Sequence, residues 1–587
     1  MKKTSILNIA ILLSGICMFS CSSQERSHSE VDQQVDSLLK LMTIDEKIGQ
    51  TYLVNGSGET TESLIKEGKL GSVINVIDPE VLNHLQKIAV EESRLGIPVL
   101  IGRDIIHGFN TIFPIPLGQA ATWNPEIVKD AAKVAAAEAR RLGIHWTFSP
   151  MLDVSRDARW GRIAESFGED TYLTSVLGVA MVQGFQGDDL KDQKSLAACI
   201  KHFAAYGAAE GGRDYNTADM SLQTLHNVYL PPFRAAAEAG AATLMVSFNE
   251  INGIPSSGNR YLVKEVLKND WKFDGMVVSD WASILEMVNH GFAKDARHAA
   301  TLAMNAGIDM EMVTNCYTDH LKELIENGEV SMDILNDAVR RILKLKFQLG
   351  LFDNPYVEIE KSNPVPDPTN LRIAYETTLQ SLVLLKNAEN VLPLDKNARK
   401  IAILGPMADN GHDQMGTWVF DGDEKTIITP YKSIEAFLGR EKIIFKLALP
   451  YTRSFDKSGF PEAILAARQS DAVIVFAGEE SILSGEAHSL ADITLPGAQE
   501  ELIAELSKTG KPVIVVIMAG RQVALGNIEP YADAILYAWH PGTMGGPAIS
   551  DVLFGVRSPE GRSPVSFPQM SGQEPFYYNH KNTGRPP

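Results

Sequence analysis

LAACIKHF, residues 196–203, consists of five apolar residues followed by a lysine, a histidine and a phenylalanine. A short continuous apolar run fits a strand buried on both faces, and such strands belong to parallel sheets covered by helices. Ending it on Lys201-His202 delivers two polar side chains at the strand's carboxyl end. Outward from this stretch the pattern recurs: TYLVN from Tyr52, SVINV from Ser72, VLIGRD from Val99, HWTFSP from His145, TLMVSF from Thr243, MVVSD from Met276 and IDMEM from Ile308. These eight strand candidates alternate with amphipathic stretches whose helix ends are legible. Asn124 can cap, Pro125 suits a first turn, Arg140 and Arg141 a last turn, and Gly143 a stop. Strand-helix units repeated over residues 36–352 predict a (β/α)8 barrel of the triosephosphate-isomerase type; a doubly wound open sheet satisfies the same pattern. Asp104, Lys201, His202, Asn249 and Asp280 all fall at strand carboxyl ends, which in a barrel form one mouth.

The helix Ser331 to Leu349 closes this region. Residues 353–372, with Pro364, Pro366 and Pro368, read as an extended linker. Residues 373–587 then read as a smaller α/β sandwich on the runs KIAILGP from Lys400, AVIVFAGE from Ala472, PVIVVIMAG from Pro512 and AILYAWHPG from Ala534, with a helix from Gly497 to Ser507. GTMGG, residues 542–546, lacks the spaced glycines of a phosphate cradle and reads as a turn before a helix. At the other end, Lys2 and Lys3 precede the apolar run Ile6 to Phe19, too short to span a membrane and suited to a signal peptide over residues 1–20. The following Ser20-Cys21-Ser22-Ser23 has the form of a lipoprotein signal in which Cys21 is lipidated; an ordinary cleaved signal is the alternative. Residues 21–35 read as a tether. The expected location is outside the cytoplasm, in the periplasm or on the outer membrane, with membrane contact only through that anchor.

Lys and Arg number 54 against 73 Asp and Glu, a net charge of −19. No basic tract interrupts this balance, which argues against nucleic acid as a partner. The four cysteines, Cys17, Cys21, Cys199 and Cys316, are too scattered for a disulfide framework or a thiolate metal site. No metal and no cofactor is expected, so chemistry falls to carboxylates, His, Lys and Arg.

Three stretches hold most of what can react: Gly102 to Gly108 (GRDIIHG), Lys201-His202-Phe203 with the loop Gly207 to Asn216, and Val277 to Trp281 (VVSDW). Carboxylates, fixed donors and an indole face match the hydroxyl rim and apolar C–H faces of a sugar. Taken singly, each has a plainer reading. Asp280 can cap the helix after its strand. Lys201 can be solvated and His202 bonded to backbone. Asp153, Arg156, Asp157, Arg159 and Arg162 can form a surface ion-pair cluster of little consequence.

Longer stretches carry a resemblance: GRDIIHGFNTIFPIPLGQAATWNPE (102–126), FSPMLDVSRDARWGRIAESFGED (148–170), KHFAAYGAAEGGRDYNTADMS (201–221), DGMVVSDW (274–281) and ADITLPGAQEELI (491–503). The chain resembles glycoside hydrolase family 3, and within it the periplasmic β-glucosidases, over about residues 30–585. The resemblance implies a (β/α)8 barrel joined to a six-stranded α/β sandwich. It implies an exported, retaining, exo-acting β-glucosidase that removes terminal β-D-glucosyl residues from oligosaccharides. Asp280 matches the nucleophile, and Glu486, in LSGEA, matches the acid/base supplied by the second domain; Glu479 and Glu480 lie just upstream. Asp104, Arg162, Lys201 and His202 match residues holding the hydroxyls of the first subsite, Trp281 part of its wall, and Arg213 and Phe248 positions at or near it. A β-xylosidase or another exo-β-glycosidase is the alternative within the family. An N-acetylglucosaminidase is disfavoured because the long loop after Lys201-His202 lacks an Asp-His pair. A non-catalytic glycan-binding lipoprotein is the alternative outside catalysis. Family chains usually run on into a fibronectin-like third domain, whereas this sequence ends at Pro587, so that domain is expected to be absent.

Overall fold

The computed structural model describes residues 30–359 and 367–585. The signal sequence and Cys21 lie outside the described residues.

All eight strand candidates form strands of one parallel sheet: β1 (Tyr52–Asn55), β2 (Ser72–Ile74), β3 (Leu100–Arg103), β4 (Trp146–Thr147), β5 (Ala197–Phe203), β6 (Thr243–Val246), β7 (Met276–Val278) and β8 (Glu311–Met312). β8 pairs with β1 through Tyr52 opposite Glu311, and Val278 bridges Met310, so the sheet closes on itself. That closure excludes the doubly wound alternative. Trp146, Phe148, Met245, Met276, Met310 and Met312 fill the interior as a packed core. The Trp146 and Phe148 rings lie 4.5 Å apart, and the Trp146 indole N–H donates to Thr243 Oγ1 at 2.8 Å. Burying the indole is tolerable because that N–H keeps a partner.

The outer ring forms where sequence patterns favour helices. α1 (Pro125–Arg140) starts at the cap Asn124, whose side chain accepts from Glu126 N, and packs its alanine-rich face on α2 (Thr171–Gln186). α3 (Met332–Gln348) is capped by Ser331. Two expectations need correction. Residues 30–41 are helical, so the tether does not extend to residue 35; Val35 and Leu39, one turn apart, are buried against the barrel's outer core. α4 (Pro368–Ser381) begins inside the stretch read as linker, because Pro368 occupies the first turn and Asp367 accepts from Thr369 N.

The second domain is a six-stranded sheet ordered β9-β14-β13-β12-β10-β11: β9 (Val383–Asn387), β10 (Ile401–Leu404), β11 (Ile443–Lys446), β12 (Ala472–Gly478), β13 (Val513–Met518) and β14 (Ala534–Tyr537). Only β9 runs antiparallel. α5 (Gln499–Ser507) and α6 (Gly545–Leu553) cover it, the latter starting on the last two glycines of GTMGG. The domain seats on the barrel mouth through paired polar contacts. Arg103 forms a bidentate pair with Asp421, both bonds at 3.0 Å, and Arg521 donates to Ala158 O at 2.6 Å while pairing with the buried Glu479 at 3.1 Å. Among the described residues no helix is long and apolar enough to cross a membrane.

Candidate active site

A cavity of about 730 Å³ opens where the strand carboxyl ends meet the second domain. β3 leads into Asp104, β5 carries Lys201 and His202, β6 leads into Phe248, and β7 leads into Asp280 and Trp281; all line the cavity. Arg162 arrives on the short helical turn Gly161–Glu165, and Glu486 on the second domain's loop after β12. Asn249, expected at the mouth, does not line it, and of the residues given site roles by the resemblance Arg213 alone does not. Its side chain is 62% exposed and points to Glu210, 3.9 Å away.

Asp280 does not cap the following helix, whose first turn is entered at Ala282 without a side-chain bond. Its Oδ1 accepts from Trp281 N at 2.7 Å, while its buried Oδ2 has no hydrogen-bond partner and lies 3.7 Å from His202 Nε2. Burial, and next the charge of Glu486, push the Asp280 carboxyl well above the usual range; Arg162, Lys201 and the Trp281 N–H pull the other way.

His202 is fixed from behind. Its backbone N–H and its Nδ1 both meet Asp153 Oδ2 at 2.9 Å, and Tyr206 N donates to Asp153 Oδ1 at 3.1 Å. Burial, reinforced by Arg162 and Lys201, holds the imidazole well below its ordinary pKa. A neutral ring donating from Nδ1 to the carboxylate turns the Nε2 lone pair toward the cavity. Burial also lifts Asp153 to about 7. Asp153 and Arg162 are thus interior residues, which corrects the reading of that charged stretch as a surface cluster. Arg162 is gripped by Glu165 through bonds of 2.8 and 3.0 Å. Burial opposes its charge, yet Glu165 and Glu486 raise its pKa well above the ordinary value.

The three glutamates near the loop after β12 separate cleanly. Glu479 is fully buried against Arg521, Glu480 pairs with Arg453 at 2.8 Å and bonds Thr452, and only Glu486 reaches the cavity, its side chain 26% exposed. Sequence reasoning missed Tyr215, Asn289 and His290 on the barrel side, and the aromatic wall of Trp418 and Phe420 on a second-domain loop held by the Arg103–Asp421 pair. The Trp418 ring lies 5.4 Å from Lys201 Nζ, and its indole N–H is buried without a partner. Aromatic residues in a Gly/Asp-rich loop, WVFDGD, were the available signal. Among the described residues no cluster of three potential metal ligands occurs.

Asp280 Oδ2, Arg162 Nη1 and Trp418 Nε1 are therefore unsatisfied polar atoms facing one aromatic-walled cavity. Buried polar atoms are ordinarily paired, so a set left open in one cavity suits a ligand rich in hydroxyls. The class this defines is a carbohydrate-active enzyme. The sequence profiles of the "Glycosyl hydrolase family 3 N terminal domain" and "C-terminal domain" match residues 43–345 and 382–587. The chain belongs to glycosyl hydrolase family 3 and is a glycoside hydrolase. It is 41% identical to a periplasmic beta-glucosidase of Salmonella typhimurium, over 94% of this chain and 76% of that protein. A beta-xylosidase of Formosa agariphila is 34% identical over 98% of this chain and 79% of its own length. The crystal structure of a beta-glucosidase from Listeria innocua in complex with glucose superposes with a TM-score of 0.90 at 39% identity, covering 95% of this chain and 79% of that one.

Proposed function

We propose that the protein is an exo-acting retaining β-glucosidase with Asp280 as nucleophile and Glu486 as acid/base. The observation that carries this reading is Asp280 itself: one carboxyl oxygen is engaged by backbone, and the other has no hydrogen-bond partner at the cavity that Glu486 also lines. In the first half-reaction Oδ2 attacks the anomeric carbon as Glu486 gives its proton to the departing glycosidic oxygen. In the second, the Glu486 carboxylate takes a proton from water, which displaces Asp280 and regenerates the free sugar. Arg162, Lys201, Asp104 and His202 would hold the ring hydroxyls, with Trp281 and Phe248 against its apolar faces. The names of the Salmonella and Listeria relatives favour glucose; the Formosa relative keeps β-xylosidase as a second reading.

Hydrolysis of p-nitrophenyl β-glucoside and β-xyloside tests the proposal. Asp280→Asn is expected to lose nearly all turnover, and Glu486→Ala to regain part of it with azide. Unchanged turnover in Asp280→Asn would refute the nucleophile. Preference for the xyloside would select the second reading, and no release from either sugar by folded protein would leave glycan binding. Cys21 extends the proposal to an exported lipoprotein, which labelled palmitate incorporation abolished by Cys21→Ser would support.

A further inference from the structure

The loop after β5 was expected to reach the site through Arg213, but its next two residues make the contacts. Asp214 is buried and holds the loop that carries Glu486 just beyond that residue. Its Oδ2 accepts from Ala487 N at 2.7 Å, and its backbone N–H donates to Ser489 Oγ at 2.9 Å. Its Oδ1 accepts from the Trp160 indole at 2.8 Å, so the latch is anchored in the barrel. The latched loop turns through left-handed positions at Gly485 (φ +95°) and Ala487 (φ +63°), a shape that external bonds must sustain at the alanine. Tyr215 takes a left-handed conformation of its own (φ +64°), lays its ring edge-on to Phe248 at 5.2 Å, and donates its hydroxyl to Glu486 Oε1 at 2.6 Å. Glu486 Oε2 faces Arg162 Nη1 at 3.7 Å.

We propose that Asp214 and Tyr215 are positioning residues for the proton donor: Asp214 pins the second domain's Glu486 loop to the barrel, and the Tyr215 phenol reserves Oε1 so that the transferable proton rides on Oε2. The proposal rests on reading Glu486 as the acid/base. Burial and the neighbouring Glu486 raise the Tyr215 pKa, so the phenol stays a donor throughout the working range. A phenol donating to a carboxylate stabilises the ionised form and makes the acid more willing to release its proton. The other titratable groups that interact with Glu486 are Arg162, Tyr206, Asp280 and Glu286, all of which Tyr215→Phe leaves in the chain.

The test is Tyr215→Phe in the full chain, compared across pH on aryl β-glucosides with poor and with activated leaving groups. The basic limb of kcat/KM is expected to move up by about one pH unit, the scale of one hydrogen bond to a charged group. The loss of rate should concentrate on the poor leaving group, which depends on proton donation. Asp214→Asn should show the same leaving-group bias. An unmoved basic limb in Tyr215→Phe, or equal losses on both substrates, would overturn the proposal. Glu486→Ala serves as the reference: if azide rescues it while Tyr215→Phe is silent, the positioning role alone falls, and if azide does nothing, the reading of Glu486 falls with it.

Discussion

Substituting Gly161 by alanine, far in sequence from Glu486, is expected to disable proton donation while sparing the nucleophile. Gly161 lies in the barrel directly beneath the loop that carries Glu486, and Gly485 N donates to its carbonyl at 2.8 Å. A β-carbon built there would stand 2.0 Å from His488 O and 2.4 Å from Gly485 O. Carbon and oxygen need about 3 Å, so the loop must lift by about 1 Å. A misplacement of about 1 Å in a catalytic group costs roughly 10²-fold in rate, or about 2.7 kcal/mol at the transition state. The overpacked contact should also cost about 1–3 kcal/mol of stability. The assay is kcat/KM on a poor and an activated aryl glucoside, with a thermal melt alongside. The expected result is a fall of about two orders of magnitude on the poor leaving group and a much smaller one on the activated substrate. Full activity on the poor leaving group, or equal losses on both, would refute the reasoning that Gly161 sets the height of the proton donor.

Burial lifts the Asp280 pKa in the folded chain, so the bound proton favours folding below the unfolded pKa and that contribution is lost as pH rises through the folded value. Above that value the ionised side chain destabilises the fold. Asp280→Asn should therefore melt higher than the parent near pH 7, the gap closing toward roughly pH 4, and an equal or lower melt at neutral pH would contradict this. By the same shift, kcat/KM of the parent should rise with pH through an acid limb above the usual aspartate range, visible in a pH–rate profile. Arg521→Met leaves Glu479 buried without its cation and removes the bond to Ala158 O. Denaturant unfolding should show a loss of about 3–5 kcal/mol, and a loss below about 1 kcal/mol would mean the pair is dispensable.

The barrel was legible because each of its strands is a short apolar run closed by polar residues, a pattern that survives without tertiary information. The sandwich's edge strands were not. β9 (VLLKN) and β11 (IIFK) are largely half-buried, so they carry charged residues and fall short of the continuous apolar signal of β12 and β13. At the site, motif resemblance brought Asp104, Arg162, Lys201, His202, Phe248, Asp280, Trp281 and Glu486 into one cavity. It failed at Arg213 because a loop's sequence does not say which of three adjacent side chains turns inward; the left-handed turn at Tyr215 decides that. Arg103 and Asp421, 318 positions apart, leave no local trace of their pairing. The charged run from Asp153 to Arg162 looked solvated because burial of like and unlike charges together depends on Glu165 and His202 arriving from opposite directions.

The Trp146 and Phe148 rings, tilted against each other, fill the barrel from below, and Phe148 lines the cavity. A packed barrel is not a pore, so the cavity does not continue through it. A long glycan therefore cannot thread through the barrel. Whatever binds must leave on the barrel-mouth side from which it came, so departing product and arriving substrate would contend for the same face of the enzyme.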